Sequence, residues 1–219
     1  MEVRTPPALP CDTLAYTELP AGTTLWRVHR THRSAAEFCP VPSDDLFGGG
    51  RFDSTSKDLY PFMYAAFTPE TALCETLLHG LRFRGRTRQL LRREVKGRSL
   101  SNLTTTTGLT LLSLATSTDL ARICQPDDWL LRADGHEYAQ TRAWARWLRE
   151  HASSVHGLIW QSRHNLPERS LILFGDRCPA GALVPDVSER PVKLDDAPGA
   201  AYLNRRLSPY AVTVSPPRG

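Results

Sequence analysis

Five residues of this chain stand in settings where their side chains could hold a charged or polar ligand: Arg27, Arg51, Tyr64, Glu75 and Ser162. Arg51 ends a glycine run in GGGRFD. Consecutive glycines permit backbone shapes and close approaches that side chains would block. A planar guanidinium beside them suits a polyanion such as a pyrophosphate. The same motif also suits a solvated surface loop, and without a following GK[ST] it is not a P-loop. Glu75 sits in MYAAFTPETALCETLLHG, residues 63 to 80. On a helical wheel Ala72, Leu73, Cys74, Leu77 and Leu78 cover most of the circumference, and Glu75, Thr76 and His79 share the remaining arc. That arc either faces water, with Glu75 paired to His79 at i+4, or opens into a cleft, because so apolar a helix packs on more than one side.

The other three have equally plain alternatives. Arg27 lies mid-strand between Trp26 and Val28, and strand alternation places it opposite Trp26, on a solvent face. Tyr64 belongs to an apolar strand, where a packed ring with a bonded hydroxyl is the ordinary arrangement. Ser162 follows the buried strand GLIW, where serines make turns. His29 and His32 form an HxxH, but with arginines around it, no HExxH and no evident third ligand, it does not read as a metal site. No GxSxG nucleophile elbow is present.

These residues need elements to position them. TTLWRVHR (23 to 30) and PFMYAAF (61 to 67) read as strands, the second fully buried. Thr68 suits a helix N-cap, Pro69 the first helical position, Glu70 the positive end of the dipole and Gly80 the stop. RQLLRREV (88 to 95) and LTLLSLA (109 to 115) read as strands, and STDLARI (117 to 123) as a short helix. YAQTRAWARWLREHASS (138 to 154) has the strongest helical period, with its tryptophans in the core. GLIW (157 to 160) and SLILF (170 to 174) read as strands flanking QSRHNLPER, with a short helix at 199 to 207 and a strand at 210 to 214 beyond. With no repeat and no linker, the chain reads as one α+β domain over 23 to 215 behind an irregular, Pro-rich lead-in over 1 to 22.

The 219 residues, 41% hydrophobic and 23% charged, describe an ordinary globular chain with no apolar run long enough for a membrane span. The N-terminus lacks the apolar stretch of a signal peptide, so a cytoplasmic location without membrane contact is expected. Five widely spaced cysteines without a CxxC pair predict free thiols. The net charge of +4 is concentrated in LRFRGRTRQLLRREVKGR. With no recognition-helix or aromatic stacking pattern beside it, that stretch reads as a solvated basic turn. A non-enzymatic nucleic-acid-binding module using residues 82 to 98 stands as the alternative.

Four pieces of the chain, LWRVHR, GGGRFD, YAAFTPETALCET and GLIWQSRHNLPERSLILF, stand in the order found in the RES domain family, and the chain resembles that family over residues 25 to 174. The family comprises toxins of bacterial toxin–antitoxin pairs, named for an Arg, a Glu and a Ser. By motif position Arg51, Glu75 and Ser162 match those three, Arg27 matches an earlier strand Arg, and Tyr64 a strand Tyr. The sequence departs from the family in lacking a Gly-containing turn before Tyr64 and in having Gln161 before the serine.

The resemblance implies an ADP-ribosyltransferase-like fold, with two small, roughly perpendicular sheets around a cleft flanked by helices. It implies NAD+ as substrate, no cofactor or metal, cleavage of the nicotinamide–ribose bond by glycohydrolase or phosphorylase chemistry, and depletion of cellular NAD+. Catalysis would rest on Glu75, Arg51 and Ser162, with Arg27, Arg51, Tyr64 and Ser162 binding NAD+. An Xre-type antitoxin would be the partner, in a homo- or hetero-oligomer, with no direct contact to nucleic acid. ADP-ribosyl transfer to a protein or small-molecule acceptor is the alternative within the same chemistry.

Overall fold

The structure is a computed structural model and describes residues 4–46 and 48–215. Its strands are β1 (Tyr16–Leu19), β2 (Thr24–Arg30), β3 (Phe62–Ala66), β4 (Arg88–Leu90), β5 (Arg98–Thr105), β6 (Leu109–Ser113), β7 (Gly157–Gln161), β8 (Arg169–Phe174), β9 (Leu183–Pro185), β10 (Val192–Lys193) and β11 (Val212–Val214). Its helices are α1 (Pro69–Leu77), α2 (Arg92–Val95), α3 (Ser117–Arg122), α4 (Trp129–Arg132), α5 (Tyr138–His151) and α6 (Ala197–Leu207). The fold is mixed α+β, built on a curled, mostly antiparallel sheet. Nine strands hydrogen-bond in the order β1-β6-β7-β8-β3-β2-β5-β10, with β9 also on β5, and β4 and β11 form a separate parallel pair. Hydrogen bonding therefore joins into one large sheet and one pair the strands that the resemblance assigns to two small sheets.

Alternation along β3 sorts its side chains between two faces of the sheet, which carry three hydrophobic clusters. Met63 and Ala65 pack with Leu25, Leu103 and Leu171. Phe62 joins the core of α5, where Trp144, Trp147 and Leu148 meet Trp160 and Phe174. Ala66, with Trp26 and Val28 of β2, lies under α1 and α6, against Leu73, Cys74, Leu77 and Leu203. β6 and β7 run parallel, so the chain between them must cross over rather than turn back. That crossover carries α3, α4 and α5.

Several expectations are corrected. Residues 1 to 22 are not irregular throughout, since β1 pairs antiparallel with β6. Nor are all the thiols free: Cys11 and Cys124 form a disulfide with Cα atoms 5.4 Å apart, while Cys39, Cys74 and Cys178 are free. A sequence separation of 113 hid that pair. The predicted strand at 88 to 95 divides into β4 and α2, because Leu90 and Val95 are each buried and no alternation joins them. β5 escaped notice because Ser99, Ser101 and Asn102 look like loop residues. They are buried because β5 lies between β2 on one side and β9 and β10 on the other. Of the basic stretch, Arg82, Arg84 and Arg86 are exposed around the turn that Arg84 and Thr87 close. Among the described residues no helix is long and apolar enough to cross a membrane.

Leu73 is fully buried beneath α1, so Leu73→Ala tests whether this packing seats the helix. A loss of about 2–5 kcal/mol is expected from denaturant unfolding. A loss under about 1 kcal/mol would mean that α1 is not packed as described.

Candidate functional site

α1 begins as its sequence predicts. Thr68 caps it, its Oγ1 accepting from the Thr71 N–H at 3.2 Å, and Pro69 opens the first turn. The helix ends at Leu77, and Gly80 follows with φ +68°. His79 therefore lies beyond the helix and no ion pair joins it to Glu75 among the described residues. Glu75 itself is half-buried and faces the loop after β7. There the fully buried Ser162 donates its Oγ–H to Glu75 Oε1 at 2.7 Å. The same Oγ accepts from the backbone N–H of His164 at 3.3 Å and of Asn165 at 3.1 Å. A hydroxyl has one proton to give. With two backbone donors on the oxygen, that proton goes to Glu75, which fixes the carboxylate in direction. Asn165 adds a second tie to α1, donating from Nδ2 to Thr71 Oγ1 at 2.7 Å and accepting from the Tyr210 hydroxyl at 2.6 Å.

Arg51 is held by its backbone. The Tyr64 hydroxyl accepts from the Phe52 N–H at 2.9 Å and donates to Asp53 Oδ1 at 2.9 Å. Asp53 Oδ2 accepts from the Gly50 N–H at 2.7 Å and from Ser43 Oγ at 3.0 Å. A Cβ at Gly50 would stand 2.5 Å from Asp53 Oδ1 and 2.6 Å from the Tyr64 oxygen, so the close approach requires glycine. From α5, Thr141 Oγ1 donates to the Arg51 carbonyl at 2.7 Å, and Arg142 donates to the carbonyls of Ser43, Asp45, Gly48 and Gly50.

The Arg51 side chain is free by contrast. It is 4% exposed, and its Nε and Nη2 are buried without a partner among the described residues. Burial lowers its pKa, the nearby Tyr138 and Glu75 oppose that shift, and Arg163 adds to it. Burial also raises the Tyr64 hydroxyl well above its usual range, with Asp53 adding to the shift.

The structure brings Arg51, Tyr64, Glu75 and Ser162 to one neighbourhood but leaves Arg27 out. Arg27 is buried on the opposite face of the sheet, with Leu25 and His29, and its Nη1 donates to the carbonyls of Ala35 at 2.7 Å and Glu37 at 2.8 Å. It is not solvated, as alternation alone predicted, and it does not converge with Arg51. Tyr64 likewise spends its hydroxyl on the Arg51 loop rather than on open space. His29 of the HxxH bonds Ser101 Oγ through Nε2 at 2.8 Å.

Sequence reading missed Asp53, Tyr138, Arg142, Arg163 and Asn165. Asn165 and Arg163 lie within three residues of Ser162, and Arg142 is a charged residue on the buried side of α5. These were the available signals. A groove of about 540 Å³ lies elsewhere, lined by Leu19, Phe67, Leu111 and Ile159 among others, and includes none of the residues that surround Glu75. The pinned carboxylate and the unpaired guanidinium mark the site more strongly than that groove. Together they can bind an acceptor-rich anion and face developing positive charge with a fixed negative group.

Comparison with known proteins identifies a family and a fold. The RES domain model matches residues 24–195. Among solved structures the chain resembles the toxin chain in the crystal structure of the M. tuberculosis MbcT–MbcA toxin–antitoxin complex, with 17% identity and a TM-score of 0.59 over 86% of this chain and 91% of that one. At that identity the likeness is one of fold. No functionally curated protein matches.

Tyr64→Phe removes the hydroxyl that ties Phe52 and Asp53 to β3. The loss in unfolding free energy is expected to be about 1–3 kcal/mol, measured by urea titration. An unchanged midpoint would show that Arg142 alone holds the loop.

Proposed function

The chain belongs to the RES domain family, and from that premise we propose that it is a toxin that cleaves the nicotinamide–ribose bond of NAD+, restrained by a cognate antitoxin. The observation that carries the reading is the Glu75 carboxylate, fixed by Ser162 at 2.7 Å, in the neighbourhood of a buried arginine with two unpaired nitrogens. The likeness to a toxin solved with its antitoxin supports the partner, which we take to be of Xre type. We also read the curled sheet as a variant of the ADP-ribosyltransferase arrangement, with the cleft at the Glu75 side.

Breaking the bond sends its electron pair to the nicotinamide nitrogen and leaves a ribosyl cation. Nicotinamide departs neutral, so the step requires no metal, cofactor or general acid. Glu75 faces the growing positive charge and stabilises it, an effect strengthened where water is excluded. Arg51 Nε and Nη2 give their hydrogens to the pyrophosphate, which relieves their unpaired burial. Ser162 acts by orienting Glu75, and Tyr64 by anchoring the Arg51 loop. Arg27 has no part in this account, because its guanidinium is bound to the 35–37 carbonyls. The nucleophile is identified by the product: ADP-ribose for water, ADP-ribose-1″-phosphate for phosphate, or a modified acceptor for transfer.

Glu75→Gln keeps the shape and removes the charge. NAD+ turnover, followed by nicotinamide release, is expected to fall by a factor on the order of 10² to 10³ with KM little changed, because the cation develops in the transition state. Equal turnover in the folded variant would remove Glu75 from catalysis. Arg51→Ala is expected to raise KM more than it lowers kcat, since a pyrophosphate contact serves ground and transition states alike. A wild-type KM would exclude that contact. Purified protein that leaves NAD+ untouched and shifts labelled nucleic acid in a gel would replace this reading with the binding-module one.

A further inference from the structure

Resting on the reading of the Glu75 pocket as an NAD+-cleaving site, we propose that Arg163 is its positioning residue, a five-donor clasp that locks three separate segments around the carboxylate. A guanidinium carries five N–H groups and accepts nothing. In Arg163 all five have an acceptor. Nε donates to His164 Nε2 at 3.1 Å. Nη1 donates to the carbonyls of Arg132 and Ala133. Nη2 donates to Asp134 Oδ1 at 3.0 Å and lies 3.3 Å from His79 Nδ1.

These acceptors come from different parts of the chain. His164 belongs to the loop that carries Ser162. Residues 132–134 lead into the turn before α5, which carries Tyr138, and the Tyr138 hydroxyl lies 3.4 Å from the same His79 Nδ1. His79 lies in the turn that follows α1, which the Leu81 N–H closes on the Leu78 carbonyl, four residues beyond Glu75. One side chain thus spans the loop of Ser162, the segment of Tyr138 and the exit of the Glu75 helix. Lysine could not replace it, having three donors and no planar fork.

The clasp also fixes a protonation state. Because Arg163 can only donate, His79 Nδ1 and His164 Nε2 must be unprotonated to receive it, which places their protons on the other ring nitrogens. The two rings meet edge to face, with centroids 4.7 Å apart. The ionisable and charged groups around them are Glu75 on α1, Arg51 on the glycine loop, Tyr138 on α5, Asp134 before it, Arg163 itself and Arg88 of β4. His79 keeps an edge in solvent, but packing round the ring lowers its pKa, with Glu75 opposing and Arg51 and Arg163 adding. Burial and the neighbouring His79 push His164 down to about 3. Both rings are therefore neutral acceptors at neutral pH, and acidification below the ordinary histidine range, near 6.5, works against the clasp.

Arg163→Gln and Arg163→Lys in the full chain test the proposal, with folding checked by circular dichroism. Two readouts are taken: ring-proton NMR titration of His79, and kcat and KM for NAD+. In Arg163→Gln the His79 pKa is expected to rise from its wild-type value, because a repelling cation has gone. In both variants kcat is expected to fall roughly 10- to 100-fold with KM changed less than about 3-fold, as follows when a reacting group is displaced by an ångström or less. Should Arg163→Gln fail to fold, Arg163→Lys carries the kinetic test alone, because it keeps a charge opposite Asp134. An unmoved His79 titration in Arg163→Gln, or wild-type kcat in a folded variant, would overturn the assignment. If wild-type protein consumes no NAD+, the reaction proposed for the site fails, and the titration still decides whether Arg163 clasps His79.

Discussion

Ser162 Oγ and Glu75 Oε1 belong to residues 87 positions apart, and the 2.7 Å bond between them forms only if two elements are seated correctly. α1 must be capped at Thr68 and packed over β2 and β3. The loop after β7 must turn so that the amides of His164 and Asn165 point back at the hydroxyl. The antiparallel pairing of β3 with β8, and of β8 with β7, places the start of α1 and that loop at the same end of the sheet. The geometry of one proton thus depends on the register of three strands. A one-residue slip in any of them would turn the relevant side chains to the other face.

Buried arginines show a second regularity. Arg149 is enclosed, yet it pairs with Asp58 at 2.9 Å and Asp176 at 2.7 Å and lies over the rings of Tyr60 and Phe174. Arg142 and Arg163 are matched to carbonyls, imidazoles and carboxylates. Each is costly to bury and each is compensated. Arg51 is the exception, since no side-chain hydrogen bond satisfies it among the described residues and two of its nitrogens are buried without a partner. The Nε of Arg27 is also buried without a partner, but Arg27 spends its Nη1 on two carbonyls. A guanidinium with no hydrogen bond among the described residues, beside an oriented carboxylate, has the strain profile of a binding site.

Much of this was legible beforehand. The cap and first turn of α1, the buried strands β3, β7 and β8, and the long helix α5 all follow from local punctuation and period, which the chain writes in adjacent residues. Glu75 was ambiguous on a helical wheel, because a wheel shows an arc but not what faces it. Ser162 resolved the ambiguity, and only tertiary structure could bring it there. Arg27 was misplaced for a related reason: alternation identifies its face correctly but cannot say that residues 35 to 37 fold over that face. The clasp of Arg163 and the brace of Arg142 were invisible for the same cause. Their partners are mostly backbone carbonyls, and a carbonyl has no letter in a sequence.

The parallel pairing of β6 with β7 places α3, α4 and α5 between them in the chain. During synthesis Arg51 and Glu75 leave the ribosome long before Ser162, and the β7–β8 hairpin comes later than the whole crossover. Until that hairpin docks on β3, Glu75 has no hydroxyl to orient it and Arg163 has no His79 to meet. The order of translation therefore keeps the site unassembled on the growing chain, and Ser162 arrives only after the whole α3–α5 crossover has been made.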